Sequence, residues 1–594
     1  MKDLLINMIG DNIIFTTLRK VSALLPAETK PKALGMMALL LFNSFLDILG
    51  LAAILPIIMI LLQDNVVANN KAFSWLYDLL GFTSETSFLV VLALSVLAFI
   101  VVKNMISLWI YKTQAAFSYN LYKYFSGRLF SIYQQKGLLF YKNNNPNYII
   151  RNINSVPLEF TNGIVLNTIT LINEAVIILV ILVTILVYDP LVVALLLIFI
   201  IPVFSLFYKA VKNRSLAIQT ELNEISPKQG INLFQSTYGY IDVKMNSSEA
   251  FFLENHKRLL NRTSHLRILD KVLQQAPTKV IETGMMAAII LVALYGVLHV
   301  QDKSHIIGLL SVFALAAYRI LPSINRSMIA LISVKGYQYT FKVLDEIKAD
   351  NKAPAVNTTG KIDFTTHIRF SNISFSYKDE KAVLDNVSLT IKKNSTIGLI
   401  GRSGSGKSTL VNLLLGFYKP TAGEIWIDDT RLDETNVVSW RSRIGYVQQE
   451  VYILDASLAE NIAFGLAKED IDAAKLDRAI LLASLTDVVA QLPDGLQTKI
   501  GDRGSLLSGG QRQRVGIARA LYHGATILIM DEATSALDSA TENEINEAVA
   551  RLADNDMTII IIAHRLTTLH RCDAIVELES GRVKKVWAYE ELIK

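Results

Sequence analysis

Three short stretches in the C-terminal half carry residue types at spacings suited to handling phosphate. Gly401-Arg402-Ser403-Gly404-Ser405-Gly406-Lys407-Ser408-Thr409 follows an apolar strand, Ile397-Gly398-Leu399-Ile400, and precedes an apolar helix over 410–415. The glycines let successive backbone N–H groups curl around phosphate oxygens, and the helix N-terminus adds its positive dipole end. Lys407 can reach the β- and γ-phosphates of a nucleoside triphosphate, and the Ser408 hydroxyl can ligate Mg2+. Ile527-Leu528-Ile529-Met530-Asp531-Glu532 reads as a second buried strand ending in two carboxylates. Asp531 is placed to hold Mg2+ through water. Glu532 is the better general base, since the base must sit beyond the γ-phosphate. The third stretch, Leu507-Ser508-Gly509-Gly510-Gln511, precedes a helix expected from Arg512 onward. A hydroxyl, glycine amides and a helix N-terminus make a second phosphate clamp.

In this order Leu507-Ser508-Gly509-Gly510-Gln511 resembles the signature of the ATP-binding cassette (ABC) family. The resemblance covers the whole chain and implies a type IV, exporter-type half-transporter. It implies that the signature closes on an ATP held by the phosphate loop of another subunit. With one phosphate loop and one signature per chain, a homodimer is expected. Further positions match the family. Tyr377 in Phe375-Ser376-Tyr377 lies where an aromatic ring stacks on adenine. Gln449 in Tyr446-Val447-Gln448-Gln449 matches the glutamine that contacts Mg2+ and senses the γ-phosphate, with Gln448 replacing the usual proline. Asp502-Arg503-Gly504 resembles an exporter-specific element that touches the membrane loops, and Ser535-Ala536-Leu537-Asp538 a dimer-contact loop. His564 in Ala563-His564-Arg565 matches the switch histidine that bonds the γ-phosphate. With Glu532 and His564 both present, a hydrolysis-competent site is implied.

The elements that must position these residues are of two kinds. Among 594 residues, 52% are hydrophobic and 19% charged, which suggests membrane spans. Six apolar stretches are long enough to cross a bilayer: 33–62, 87–111, 163–187, 191–209, 280–300 and 304–333. The third and fourth are separated by Tyr188-Asp189-Pro190, a tight turn. Segment 112–160 carries six Lys/Arg and 209–279 carries eleven, whereas 63–86 carries Lys71 alone and 301–303 Lys303 alone. By the positive-inside rule both termini and the two long loops are cytoplasmic. Those loops read as helical extensions of the spans. No cleavable signal peptide is expected in residues 1–32, which are polar and basic. The expected architecture is a polytopic α-helical membrane domain with six transmembrane helices (1–345), a linker (346–361) and an α/β P-loop ATP-binding cassette (362–594). The location implied is the bacterial inner membrane, with the ATPase domain cytoplasmic. Net charge +5 gives no indication of nucleic acid. The single cysteine, Cys572, excludes an intramolecular disulfide and reads as a small buried side chain.

The cargo must be read from the membrane half. A Lys or Arg at mid-span costs about 2.5–3.5 kcal/mol on insertion scales, so it should face protein or a watery cavity. Lys103 lies late in the second span, and Arg319 and Arg326 lie in the sixth, seven residues apart and on one helix face. They are candidates for lining a cavity that favours an anionic group such as pyrophosphate. The structural reading is pairing with Asp47, Glu174 or Glu282. Residues 72–80 show an amphipathic pattern at 73, 76, 77 and 80, with Trp75 and Tyr77 suited to a bilayer interface or to packing on the protein itself.

Tyr318-Arg319-Ile320-Leu321-Pro322-Ser323-Ile324-Asn325-Arg326 resembles a corresponding run of the PglK-like lipid-linked oligosaccharide flippases, and Lys103 falls at one of their cavity arginines. A further cavity arginine is replaced by Thr278 or Lys279 after Pro277. The resemblance implies outward flipping of a polyprenyl-pyrophosphate glycan, with membrane lipids as surroundings. The alternatives are an exporter of hydrophobic drugs, lipids or peptides and, from another class, a soluble cassette ATPase acting on DNA or ribosomes, which six spans disfavour.

Overall fold

The computed structural model describes residues 13–53, 57, 71–79, 81–82, 84–188, 190–299, 303–352, 360–377, 381–501, 504–533, 539–554, 556–563 and 565–593; some helical side chains, including those of 187–210 and 295–319, lie outside that description. The chain divides into two compact units, 1–136 with 141–353 and 137–140 with 354–594.

The first unit is helical. Its described helices include Lys30–Ala52, Glu85–Gln135, Pro146–Phe160, Asn167–Tyr188, Pro190–Tyr238, Glu249–His299 and Lys303–Gly336. The expected apolar runs fall on these helices, the first only as far as the described residues reach. Among the described residues, Ala27–Gly50, Thr86–Gln135 and Pro146–Val183 are long and apolar enough to cross a membrane. The expected helical extensions are present. Glu85–Gln135 runs unbroken for 51 residues, about 76 Å at the 1.5 Å rise of an α-helix. A wide π-helical stretch, Thr161–Leu166, joins Pro146–Phe160 to Asn167–Tyr188. There Gly163 admits the Tyr337 ring, which a Cβ would meet at 2.2 Å.

One expectation shifts and another is met. The stretch 346–352, expected as linker, is the end of a helix, Tyr339–Lys352. Its Leu344 and Ile347 are buried, and its Glu346 and Asp350 pair with Lys136 and Arg128. The amphipathic pattern at 72–80 does form a helix, Lys71–Leu79. Tyr77 packs edge-on against Phe88 at 5.5 Å, while Trp75 is 62% exposed, so the two aromatics divide between the protein and its surroundings.

The second unit contains two sheets. The strands are β1 His367–Phe375, β2 Leu384–Lys392, β3 Thr396–Ile400, β4 Ala422–Ile427, β5 Thr430–Arg431, β6 Ile444–Val447, β7 Ile527–Asp531, β8 Thr558–Ile562, β9 Ala574–Glu579 and β10 Arg582–Trp587. An antiparallel sheet has the order β2-β1-β4-β5, and a larger one the order β10-β9-β3-β8-β7-β6. In the larger sheet β6, β7, β8, β3 and β9 are parallel. Parallel strands are covered on both faces, which is why β7 and β8 read as unbroken apolar runs and why Ile527, Leu528, Ile529 and Ile559 have no exposed surface. Leu138 and Leu139, contributed by 137–140, pack against one of the two core clusters of this unit. Cys572 is buried in the other, and burial pushes its thiol up to about 12.

Candidate functional site

The sheet order brings the motifs together. β3, β8, β7 and β6 are consecutive neighbours, and the segments leaving their C-terminal ends carry Gly401–Lys407, His564, Asp531 with Glu532, and Gln449. Ligands of open parallel sheets bind at this edge. The register ties the ends: Leu399 and Asp531 both lie opposite Ile562. His564 itself lies outside the described residues, as do Asp502, Arg503 and Ser535-Ala536-Leu537-Asp538.

The phosphate loop has the backbone its glycines predict. Gly401, Gly404 and Gly406 have φ of 147°, 79° and 102°. A Cβ on Gly401 would lie 2.2 Å from the Leu578 carbonyl oxygen, and one on Gly406 would lie 2.6 Å from Leu384. The helix Lys407–Leu414 begins directly after Gly406. Lys407 is 5% exposed, and its Nζ donates to the carbonyl oxygens of Gly401 at 2.7 Å and Arg402 at 3.2 Å. Burial holds this ammonium below the usual lysine range, while Glu532 and Asp531 pull the other way. Ser405 Oγ is buried with no hydrogen-bond partner among the described residues. An orphaned hydroxyl inside a ring that a Cβ would fill fits a phosphate group. Ser403 and Ser408 are exposed, and Thr409 is buried. Tyr377 hydroxyl and Thr409 Oγ1 share a hydrogen bond of 3.2 Å, and the Tyr377 ring stands edge-on to Phe375 and Tyr418. The candidate adenine platform is thereby fixed to the phosphate-loop helix.

At the end of β7, Asp531 Oδ2 accepts a 2.9 Å hydrogen bond from the Tyr446 hydroxyl. Burial pushes the Asp531 carboxyl above the usual range, with Tyr446 opposing. Glu532 has φ 52°, a left-handed conformation that a non-glycine residue rarely adopts. Its backbone N–H donates to Ile562 at 3.0 Å. This kink turns the chain off the strand line immediately after Asp531, so the two adjacent carboxylates are not constrained to alternate faces of the sheet. Such conformations concentrate at functional sites. Ser408, Gln449 and Asp531 offer a hydroxyl, an amide oxygen and one carboxylate. That oxygen-only set suits Mg2+, which binds through one or two carboxylates plus substrate phosphates and water.

The signature helix starts earlier than expected. It spans Gly509–Tyr522, with Ser508 as its N-cap. Ser508 Oγ accepts from Gln511 N at 3.2 Å, and Ser508 N donates to Gln511 Oε1 at 2.8 Å. This reciprocal capping box explains why the sequence needs Ser and Gln three residues apart. It also assigns the Gln511 side chain a capping contact within the chain, while Gly509 and Gly510 form the first turn of amides.

Two residues that the motif reading missed serve the same edge. Gln513 on the signature helix donates to the main chain at Gln448 and Gln449. Glu542, 5% exposed, accepts from Arg565, Thr567 and Thr568, and so braces the segment after His564. Burial pushes the Glu542 carboxyl up, but Arg565 and the two threonines outweigh it and hold it below the usual range. Neither lies within a motif. The hint for Gln513 was a polar residue among apolar ones on a helix face.

In the first unit the structural reading of the basic residues is what the geometry shows. Lys103 Nζ lies 2.8 Å from Asp47 Oδ1. Arg326 Nε and Nη2 donate to the two oxygens of Glu174 at 2.6 and 3.1 Å. Glu282 pairs with Lys279. Two of the three cations expected to give a cavity positive charge are therefore each matched by a carboxylate. The helix Lys303–Gly336 also carries Arg319, whose side chain lies outside the described residues.

Residues 384–535 match the model of the family described as ABC transporter. An ATP-dependent lipid A-core flippase of Ralstonia nicotianae is 33% identical over 406 residues, 66% of this chain and 67% of that one. A flippase of the same name from Cupriavidus metallidurans is 47% identical over 226 residues, 38% of each chain. A solved structure of a bacterial Atm1-family ABC exporter with ATP bound superposes with a TM-score of 0.77 at 20% identity, covering 96% of this chain and 97% of that one. At that identity it speaks for the fold alone.

Proposed function

The chain belongs to the ABC transporter family as an exporter that couples ATP hydrolysis to transport, and on that premise we propose that it is a homodimeric flippase of a lipid-linked glycan. The proposed movement is from the cytoplasmic to the outer leaflet of a bacterial inner membrane, with a polyprenyl-pyrophosphate oligosaccharide as cargo and the ATPase domain on the cytoplasmic side.

The hydrolytic roles proposed here combine the family resemblance with the edge formed by β3, β8, β7 and β6. Amides of Gly401–Lys407 and the Lys407 ammonium hold the β- and γ-phosphates. Tyr377 packs on adenine. Ser408, Gln449 and Asp531 would hold Mg2+, which when bound supplies charge neutralisation at the phosphate oxygens. Glu532 orients the attacking water and accepts its proton, and His564 bonds the γ-phosphate. Ser508, Gly509, Gly510 and Gln511 present a helix N-terminus to the ATP held by the second copy.

The cargo reading is carried by Arg326. Glu174, 4% exposed, fixes one edge of the guanidinium, yet the arginine side chain remains 43% exposed. A clamped, planar fork that stays partly exposed suits phosphate oxygens. The relatives named lipid A-core flippases support a lipid-linked glycan in general, and the likeness of 318–326 to oligosaccharide flippases is what favours the pyrophosphate-linked form. The neutralised pairs favour the second reading, export of hydrophobic drugs, lipids or peptides, because they remove net positive charge. Reconstituted liposomes separate the two. A polyprenyl-pyrophosphate glycan should stimulate ATP hydrolysis and appear in the opposite leaflet only with ATP. Stimulation by drugs or peptides and none by the glycan would reverse the assignment.

A further inference from the structure

One face of the signature helix is fitted to the glutamine loop at three points over just under two turns. At its start, Gln513 Nε2 donates to the carbonyl oxygens of Gln449 at 2.7 Å and Gln448 at 3.2 Å. Three residues on, Gly516 comes so close that a Cβ would lie 3.1 Å from Val451 and 3.2 Å from Val447. Three residues further, Arg519 donates to the Tyr452 carbonyl at 3.1 Å. Residues 513, 516 and 519 share one helix face, and all three meet 447–452.

Gln513 is the polar member at the phosphate end of that face. It is 5% exposed, and its Oε1 has no hydrogen-bond partner among the described residues. Two carbonyl oxygens can accept only from a donor, so the amide points its nitrogen at the loop and its oxygen away from it. A buried unmatched acceptor is costly. A hydrophobic side chain would avoid that cost but would leave two main-chain carbonyls without this donor.

We infer that Gln513 is a positioning residue of the hydrolytic cycle, tying the main chain of Gln448 and Gln449 to the helix that Ser508 caps. When the Gln449 side chain engages the γ-phosphate in one copy, the tie carries that displacement to the Ser508 end of the same helix, which faces the ATP of the second copy. The inference rests on the proposed role of Gln449 and adds a residue outside every motif.

The test uses the full chain in proteoliposomes with Gln513→Met, Gln513→Glu, Gln513→Lys and, as a separate arm, Gln449→Ala. The readouts are kcat, the Hill coefficient for ATP, fluorescent-nucleotide binding without turnover, and the melting temperature. Met removes the donors, Glu turns them into a repelling acceptor, and Lys restores donors for both carbonyls. The expected order of kcat is Gln, Lys, Met, Glu, with Met down about tenfold. The Hill coefficient should fall toward one in Met and Glu, and nucleotide binding should stay within about twofold, because the phosphate loop is untouched. Wild-type kcat and cooperativity in Met and Glu would overturn the inference. So would losses that follow the melting temperature and are not recovered by Lys, since that pattern marks packing alone. Normal hydrolysis by Gln449→Ala would instead overturn the reading of the glutamine loop, and the inference with it. Impaired Gln449→Ala beside a normal Gln513→Met would overturn the tie alone.

Discussion

The phosphate loop and the basic residues of the membrane unit both offer cations for phosphate, and they differ in what sets their meaning. At 401–407 the chemistry lies in the backbone. Positive φ at Gly401, Gly404 and Gly406 and the absence of room for a Cβ at Gly401 and Gly406 leave little latitude for another arrangement. The residue types alone therefore specify the shape. Around Lys103 and Arg326 the chemistry lies in side chains, and its meaning depends on partners 56 and 152 residues away in sequence. The same residue type can then be a ligand-binding group, half of an ion pair, or both, and sequence spacing does not decide among them. A site built from backbone geometry is legible locally; a site built from side-chain charge is legible only once its counter-ions are placed.

The largest effect expected on the backbone-built side is at its catalytic carboxylate. Glu532→Gln should retain ATP binding and lose at least about a hundredfold in turnover, since an amide does not accept the proton from water. Turnover and nucleotide retention measured on the same preparation check this, and wild-type hydrolysis would remove Glu532 as the base.

On the side-chain-built side, the sharpest contrast is between Arg326→Ala and Glu174→Gln. Arg326→Ala should reduce glycan flipping about tenfold or more while basal ATP hydrolysis stays near wild type. Glu174→Gln removes the counter-charge without removing the fork, so it should preserve or raise the apparent affinity for an anionic lipid. Arg326→Lys should rescue Arg326→Ala only in part, because an ammonium lacks the paired donors. Leaflet-resolved flipping beside ATPase assays checks the set. Equal flipping in Arg326→Ala and wild type would assign the pair to structure alone.

A smaller effect concerns the cost of keeping Asp531 buried. Burial raises its carboxyl above the unfolded value, so between those two values the folded state holds more protons than the unfolded one, and stability falls as pH rises through that window. Above the window the penalty persists. Asp531→Asn should therefore melt about 1–3 °C higher than wild type at neutral pH without nucleotide or metal, with the gap closing as pH falls through the same window. Its hydrolysis should nevertheless be lost. A lower melting temperature at neutral pH would show that the carboxylate stabilises the fold instead.

In the second unit β3, β7 and β8 are readable because they are buried on both faces and appear as unbroken apolar runs, each ending at a motif. The signature helix begins three residues before the sequence alone places it, because Ser508 and Gln511 form a capping box as well as offering groups to phosphate. Residues 346–352 look polar as a string, yet Leu344 and Ile347 give their helix a buried face, and Arg128 and Lys136 match its acids. Gln513 and Glu542 escaped because each acts on main chain or on a loop distant in sequence. Locally Gln513 shows only as a polar residue on an apolar helix face, which does not name its partners.

The central claim is that a working ATP site needs two copies, the phosphate loop of one and the signature of the other. Lys407→Ala and Ser508→Arg chains should each be inactive alone. Co-expressed under two affinity tags and purified as the mixed dimer, they should regain hydrolysis, because one site then joins the unmutated phosphate loop to the unmutated signature. Recovery of up to about half of wild-type turnover, one site of two, is the predicted result. A mixed dimer as inactive as either parent, or full hydrolysis by a verified monomer of the wild-type chain, would contradict it.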